Sequence, residues 1–226
     1  MKDIDAIAVL QDPVRRRLYE YVAAQGREVG RNEAAEATGV ARTLAAHHLD
    51  KLTEAGLLES GSRRLTGRSG PGAGRPAKVY TRARAERSVS LPGRDYRTAA
   101  ELLAEAAEEA GLDAGLCAAA RRRGEALRAA EAPCGSLDEA MALLAARGYE
   151  PRVEGTGSAS GTATPVIRMR NCPFHAVAER FPPLVCGMNL ALLEGLLGED
   201  GPLRARMDAR PGECCVVIEP SKNNDH

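Results

Sequence analysis

Tryptophan is absent from this chain of 226 residues, and aromatic side chains make up only 3% of it. Its cores must therefore be built from Leu, Ala and Val, a composition that favours helices. No apolar run reaches the roughly 18 to 20 residues that cross a bilayer. The first ten residues carry two Asp and lack the pattern of a signal peptide. We expect a cytoplasmic protein with no membrane partner.

Net charge is also absent, but this balance conceals a division along the chain. Residues 1–85 hold 15 Lys and Arg against 10 Asp and Glu, and the remainder is acidic by the same margin. Between Ser60 and Ala85, seven basic residues occur without an acidic one. A basic block beside a folded domain indicates a polyanion as partner, although a solvated basic linker would have the same composition.

The first 85 residues predict three helices followed by a two-stranded hairpin. Asp12 and Pro13 are typical of a helix start, and further helices are predicted over 32–38 and 41–55. Gly39 permits the tight turn between these two helices. Short strands are predicted at 57–59 and 79–81, on either side of a segment rich in Gly, Pro and Arg. This order is that of a winged helix-turn-helix domain, although a helical bundle could also contain such a Gly turn.

In a winged helix-turn-helix domain the third helix enters the major groove of DNA. We predict that Leu44, Leu49 and Leu52 face the core and that the opposite side reads bases and phosphates. An Arg on the glycine-rich wing tip can enter a minor groove. A phosphate-binding loop is disfavoured there, because no Gly-Lys-Ser/Thr ending follows. The predicted DNA contacts are Arg42, Thr43, Ala46 and His47 of the helix, and Arg63, Arg64, Arg75 and Lys78 of the wing.

The segment GVARTLAAHHLDKLTEAGLLE, residues 39–59, resembles the recognition helix of ArsR-like winged-helix regulators. The shared pattern is His48-Leu49-x-x-Leu52 followed by Ala55-Gly56-Leu57. The resemblance covers about residues 10–82 and implies double-stranded DNA as partner. Winged-helix proteins usually read two half-sites, so a homodimer on a palindromic operator is expected.

The remainder of the chain predicts helices first and then a mixed domain. Residues 86–130 are predicted to form a helical linker and dimerisation region, with a break near Gly111. Residues 131–226 combine helices and strands without a regular βαβ repeat. The predicted fold class is therefore α+β, with a winged helix-turn-helix domain at 1–85, the linker, and a C-terminal α+β sensor domain.

Four of the six cysteines lie after residue 171. In a cytoplasmic chain such clustering indicates metal or redox chemistry more than disulfides, although a buried cysteine is also a common small apolar residue. Cys172, Cys186 and Cys214 are the predicted ligands of an iron–sulfur cluster or of zinc. His175 is a candidate fourth ligand. Strand alternation predicts that Cys214 and Cys215 point opposite ways, which makes Cys215 an alternative to Cys214.

The cysteines together with the wing resemble SufR-type repressors, and this resemblance covers most of the chain. Members of that family hold an iron–sulfur cluster on three C-terminal cysteines and control operons for iron–sulfur assembly. Carried over, those positions fall on Cys172, Cys186 and Cys214. The resemblance implies a repressor controlled by a 2Fe-2S or 4Fe-4S cluster. The first cysteine interval is one residue longer than usual in the family, and the Cys214-Cys215 doublet leaves the third ligand open.

Two other functions fit parts of the pattern. A winged-helix regulator could instead carry zinc or a small-molecule pocket in its C-terminal domain. An enzyme with Cys172 or Cys186 as nucleophile and His175 as base is disfavoured, because no triad or phosphate loop accompanies these residues. We therefore predict a regulator without enzymatic activity.

Overall fold

The computed structural model describes residues 2–63, 76–130, 134–155 and 164–221. The chain forms two compact units, Met1–Arg94 and Asp95–His226. This division differs from the predicted three parts, because most of the predicted linker belongs to the second unit. Helices and strands occur in both units, and the fold is α+β as predicted.

Helices dominate the N-terminal unit. They are α1 (Lys2–Ala8), α2 (Pro13–Gln25), α3 (Arg31–Thr38) and α4 (Arg42–Glu54). Asp12 starts α2 as predicted, because its Oδ1 accepts hydrogen bonds from the backbone N–H groups of Val14 and Arg15 at 2.8 and 3.0 Å. Gly39 makes the turn between α3 and α4 with a φ of 67°, a conformation that residues with a Cβ rarely adopt.

A three-stranded antiparallel sheet completes this unit. Its strands are β1 (Val29–Gly30), β2 (Leu58–Arg63) and β3 (Ala77–Arg82), in the order β1-β3-β2. The sequence predicts β2 and β3 with narrower bounds, but neither α1 nor β1. Because β1 has only two residues, it shows no alternation, and only its pairing with Val79 and Tyr80 of β3 defines it.

The core of the N-terminal unit receives one stripe of α4, formed by Ala45, His48, Leu49 and Leu52. These positions recur at intervals of three and four residues. The prediction that Leu44 also faces the core is wrong, because this side chain lies outside the stripe and is 44% exposed.

Five helices and a second sheet form the described part of the C-terminal unit. The helices are α5 (Tyr96–Glu109), α6 (Asp113–Ala129), α7 (Leu137–Ala145), α8 (His175–Ala178) and α9 (Pro182–Leu197). The strands are β4 (Pro151–Glu154), β5 (Val166–Met169), β6 (Leu203–Met207) and β7 (Val216–Pro220). All are antiparallel in the order β4-β5-β7-β6. The sequence predicts helices over 95–130, 137–147 and 183–197 and strands over 149–154, 165–170 and 215–219, so among these elements it misses only α8 and β6.

Helices α6 and α9 touch through their backbones. A Cβ on Gly124 would lie 2.2 Å from the carbonyl oxygen of Leu192, and a Cβ on Gly195 would lie 2.2 Å from that of Arg121. Real Cβ atoms do not approach other atoms so closely, so only glycine fits at either position. This contact makes α6 part of the C-terminal unit and explains why the predicted linker is not a separate region.

Substitution of Gly124 tests this contact. We expect Gly124→Ala to lower the free energy of unfolding by about 1–3 kcal/mol, because the added methyl group forces the helices apart. Gly115→Ala in the same helix is the matched control, since nothing lies within 4 Å of its added Cβ. In the control variant the free energy of unfolding should rise by up to about 1 kcal/mol, because Ala favours the helix more than Gly does. Equal urea midpoints for the two variants would contradict the close contact.

Candidate functional site

Helix α4 presents one face to solvent. Arg42, Thr43 and His47 are exposed on it, and Ala46 is half-buried between them. The Arg42 Nε donates a hydrogen bond to Asn32 Oδ1 of α3 at 2.8 Å, which orients the guanidinium at the start of the helix. The four helix residues predicted to contact DNA therefore share one accessible surface. Leu44, which is 44% exposed, adds an apolar side chain beside this surface.

The described wing residues are paired within the unit. Arg63 lies at the end of β2 and is 3.4 Å from the Glu28 carboxylate. Lys78 lies in β3 and donates to Asp50 Oδ1 at 2.7 Å. Arg64 and Arg75, also predicted to contact DNA, lie outside the described residues.

Asp50 of α4 joins three elements. Its oxygens accept hydrogen bonds from Lys78 Nζ and the Tyr80 hydroxyl of β3, both at 2.7 Å. Arg31, at the start of α3, donates to the two oxygens at 3.1 and 2.9 Å. Burial alone would raise the pKa of Asp50, but these hydrogen bonds outweigh it and the pKa is lowered. Sequence reasoning missed this residue; the available signal was an acidic residue within the predicted DNA-reading helix.

Four cysteine thiols form a connected group in the C-terminal unit. Cys172 follows β5, Cys186 lies in α9, and Cys214 and Cys215 precede β7. The thiols of Cys172 and Cys215 each interact with that of Cys214, and Cys215 also interacts with Cys186. Cys214 is buried and the other three are partly buried. The fold thus brings together all four cysteines that lie after residue 171.

The predicted divergence of Cys214 and Cys215 is wrong. Both residues lie ahead of β7, where strand alternation does not apply, and both thiols enter the same group. The Cys214 backbone N–H donates to the Met169 carbonyl at 2.9 Å, and the Cys215 carbonyl accepts from the Asp208 N–H at 2.8 Å. These bonds to different neighbours turn the chain between the two residues.

A buried amide supports Cys214. The Asn189 side chain is fully buried in α9, one turn after Cys186. Its Nδ2 donates to Cys214 Sγ at 3.4 Å, and its Oδ1 accepts from the Tyr149 hydroxyl at 2.5 Å. Hydrogen bonds from the Cys172 and Cys215 thiols and from this amide lower the pKa of Cys214, although burial opposes the shift.

His175 does not join the thiols. Its side chain is 63% exposed, and its Nε2 is 3.2 Å from Glu179 Oε1 in the next turn. Only its backbone reaches the cysteines, through an N–H donated to the Cys172 carbonyl at 3.0 Å. The structure therefore does not bring this predicted fourth ligand to the site and brings Cys215 instead.

The loop that carries the cysteine doublet is held by a buried arginine. Arg168 of β5 is only 1% exposed. Its Nη2 donates to Asp208 Oδ2 at 2.6 Å and its Nε to Glu154 Oε2 at 3.1 Å. Glu213, directly before the doublet, accepts from Arg152 Nη2 at 2.5 Å. Multiple partners are needed to offset the desolvation of a buried charge, so these ion pairs tie both ends of the loop to β4 and β5.

The thiols form a chain of neighbours more than a closed shell. Within the described ranges, no group of three or more His, Cys, Asp or Glu side chains converges tightly enough to hold a single metal ion as it stands. A polynuclear cluster makes a different demand, because its cysteine ligands are divided among several irons and need not converge on one point.

Comparison with known proteins identifies the N-terminal unit. The family model of a helix-turn-helix domain matches residues 10–61, which run from the end of the turn after α1 into β2. Residues 10–61 are a helix-turn-helix domain. The protein is a DNA-binding transcriptional regulator, and the matched domain is of the ArsR type. No curated protein and no solved structure matches the chain. None of the described helices has the length and apolarity to span a membrane.

The regulator carries a buried histidine inside its DNA-reading helix. His48 is 7% exposed, and its Nδ1 is buried with no hydrogen-bond partner among the described residues. Burial lowers its pKa; Arg15 and His47 act in the same direction, and Asp12 opposes them. The folded state therefore favours the neutral form of this imidazole.

This histidine makes the stability of the N-terminal unit depend on pH. Below about pH 6.5 the unfolded chain binds a proton at His48 that the folded chain resists. As the pH is lowered below that value, the free energy of unfolding should decrease by up to about 1.4 kcal/mol per pH unit. Urea unfolding followed by NMR of the Val22 and Leu49 methyl groups measures it. His48→Leu should flatten this dependence, and the exposed neighbour His47, changed to Gln, should not.

Proposed function

We propose that an iron–sulfur cluster held by the C-terminal cysteines controls operator binding by this regulator. The observation that supports the proposal is the meeting of four thiols from three separate segments, around Cys172, Cys186 and the Cys214-Cys215 doublet. Soft thiolates are the donors that such clusters use. Cysteines that served only as small apolar residues would not need to meet in one group.

The proposed ligands are Cys172, Cys186 and Cys214, with Cys215 as fourth. Cys215 takes this place because its thiol is in the group, whereas the His175 imidazole is exposed beside Glu179. When bound, the cluster would supply a redox- and oxygen-sensitive centre. The chain's own part is to hold the thiols: Asn189 donates to Cys214, and the ion pairs of Arg168 hold the loop of the doublet.

We further propose that the regulator is a homodimeric repressor on a palindromic operator. Ala104 and Ala107 of helix α5 pack against a cluster that contains Phe181, the residue directly before α9. The same helix also carries apolar residues that lie in solvent, with Tyr96 74% and Leu103 72% exposed. A second copy of this helix would cover that surface. Two-fold pairing would also present two α4 helices to two half-sites.

The route from cluster to dimer helices runs through α9. This helix carries Cys186 and packs against α6 at the two glycines, and residues at its start pack against α5. A change in the position of Cys186 would therefore act on the layer that carries the proposed dimer contact. Control requires that the cluster bind with different affinity to the state that can bind DNA and to the state that cannot.

An anaerobic absorption spectrum with iron, sulfide and zinc analysis tests the cluster. We expect a coloured protein with iron and sulfide, and loss of both on Cys172→Ser or Cys186→Ser. Cys134→Ser is the matched control, because its thiol donates to the Ser136 carbonyl outside the group.

Two results would contradict the cluster proposal. A colourless anaerobic protein with stoichiometric zinc would favour the alternative zinc regulator, since a four-cysteine set also suits structural zinc. Unchanged colour and unchanged regulated DNA binding in Cys172→Ser would exclude Cys172 from the mechanism.

The dimer is tested by Leu103→Glu. The chain has a mass of 23.9 kDa, and the proposed dimer has twice that mass. The substitution places a charge in the proposed contact of both copies, so we expect the dissociation constant of the dimer to rise at least about tenfold. Sedimentation equilibrium measures it. Glu109→Gln, on the exposed end of the same helix, should leave the equilibrium unchanged, and an unaffected Leu103→Glu dimer would place the contact elsewhere.

A further inference from the structure

Two residues of the DNA-reading helix carry a negative charge: Glu54, which pairs with Lys51 in the last turn, and Asp50. Asp50 lies one turn after His47 on α4, and its side chain is 39% exposed. An uncompensated carboxylate there would repel DNA phosphates. Here it is compensated by two cations from other elements, so the question is what this arrangement does for DNA binding.

The two cations lie at the same surface. Arg31 and Lys78 have side chains 38% and 37% exposed, so solvent and a DNA phosphate can reach their head groups. Each is nevertheless engaged by Asp50, and Arg31 also donates to the Tyr80 hydroxyl at 2.8 Å. The Tyr80 ring lies beneath both, with the Lys78 ammonium 5.4 Å and the Arg31 guanidinium carbon 5.8 Å from its centroid.

This geometry opposes non-specific attraction. Any cation near the DNA face can pair with a phosphate of any sequence, and such pairs supply essentially all of non-specific affinity. A cation already held by a carboxylate must break that ion pair first. Tyr80 is buried and donates to the same oxygen as Lys78, so the carboxylate cannot simply rotate away.

We propose that Asp50 is a specificity-determining residue that holds Arg31 and Lys78 and so weakens binding to non-operator DNA. This inference rests on DNA binding by the helix-turn-helix domain and not on any role of the cysteines. It replaces the simpler expectation that Lys78 contacts phosphate in every complex.

The test is the binding of the full chain to a duplex of random sequence, measured by fluorescence anisotropy between about 50 and 200 mM salt. Each additional phosphate contact steepens the dependence of log affinity on log salt by about 0.9. In Asp50→Asn, which frees both cations, we expect the slope to steepen by about 1–2 and binding at low salt to tighten about tenfold. When Lys78→Gln is added to Asp50→Asn, the salt slope should become shallower again and lose about half of the increase.

A net-charge control separates release of the cations from general electrostatics. Glu20→Gln removes one negative charge from the exposed side of α2 in the same unit, and we expect its slope to equal that of the wild type. A slope that steepens as much in Glu20→Gln as in Asp50→Asn would overturn the proposal, because the effect would then be one of net charge.

The single variant Lys78→Gln keeps the proposal falsifiable if Asp50→Asn fails to fold. Since Lys78 is held by Asp50 in the wild type, its removal should leave the slope on random DNA unchanged. A slope reduced by about 0.9 would show that Lys78 already contacts phosphate and would overturn the proposal. These outcomes are independent of cluster content, so they are distinguishable from failure of the proposed cluster control.

Discussion

The backbone contact between α6 and α9 is the constraint on which the C-terminal unit depends. Because Gly124 and Gly195 have no side chains, the two helices approach closely and α9 is enclosed on most sides. The rest of α9 can then serve two purposes. Leu193 and Leu196 pack in the core with the sheet, and Cys186 and Asn189 lie at the thiol group.

Both units hold a charged side chain by several partners at once, with different consequences. Arg168 is buried, so its carboxylate partners must remain in place, and the cysteine loop between them is held with it. Asp50 is only half-buried, so its partners Arg31 and Lys78 remain within reach of a ligand. The first arrangement builds a site, and the second regulates the availability of charge at a surface.

The proposed control of DNA binding depends on a layer of helices within the C-terminal unit. Helix α9 carries one thiol, packs directly on α6, and contacts α5 near Phe181. Helix α5 also leaves Tyr96 and Leu103 exposed to solvent. A thiol site and an apolar docking surface thus lie on neighbouring helices, and this arrangement offers a short physical path between occupancy of the site and association of two copies.

The sequence by itself determined the local elements and the DNA-reading class. Asp12-Pro13 marks the start of α2 and Gly39 marks the helix-turn-helix turn, because capping and positive φ depend on neighbouring residues alone. The tertiary structure alone decided which side chains meet. It placed Cys215 and not His175 with the other thiols, turned Leu44 to solvent, and paired Lys78 with Asp50. Those outcomes depend on contacts between residues distant along the chain, whose distances no local pattern encodes.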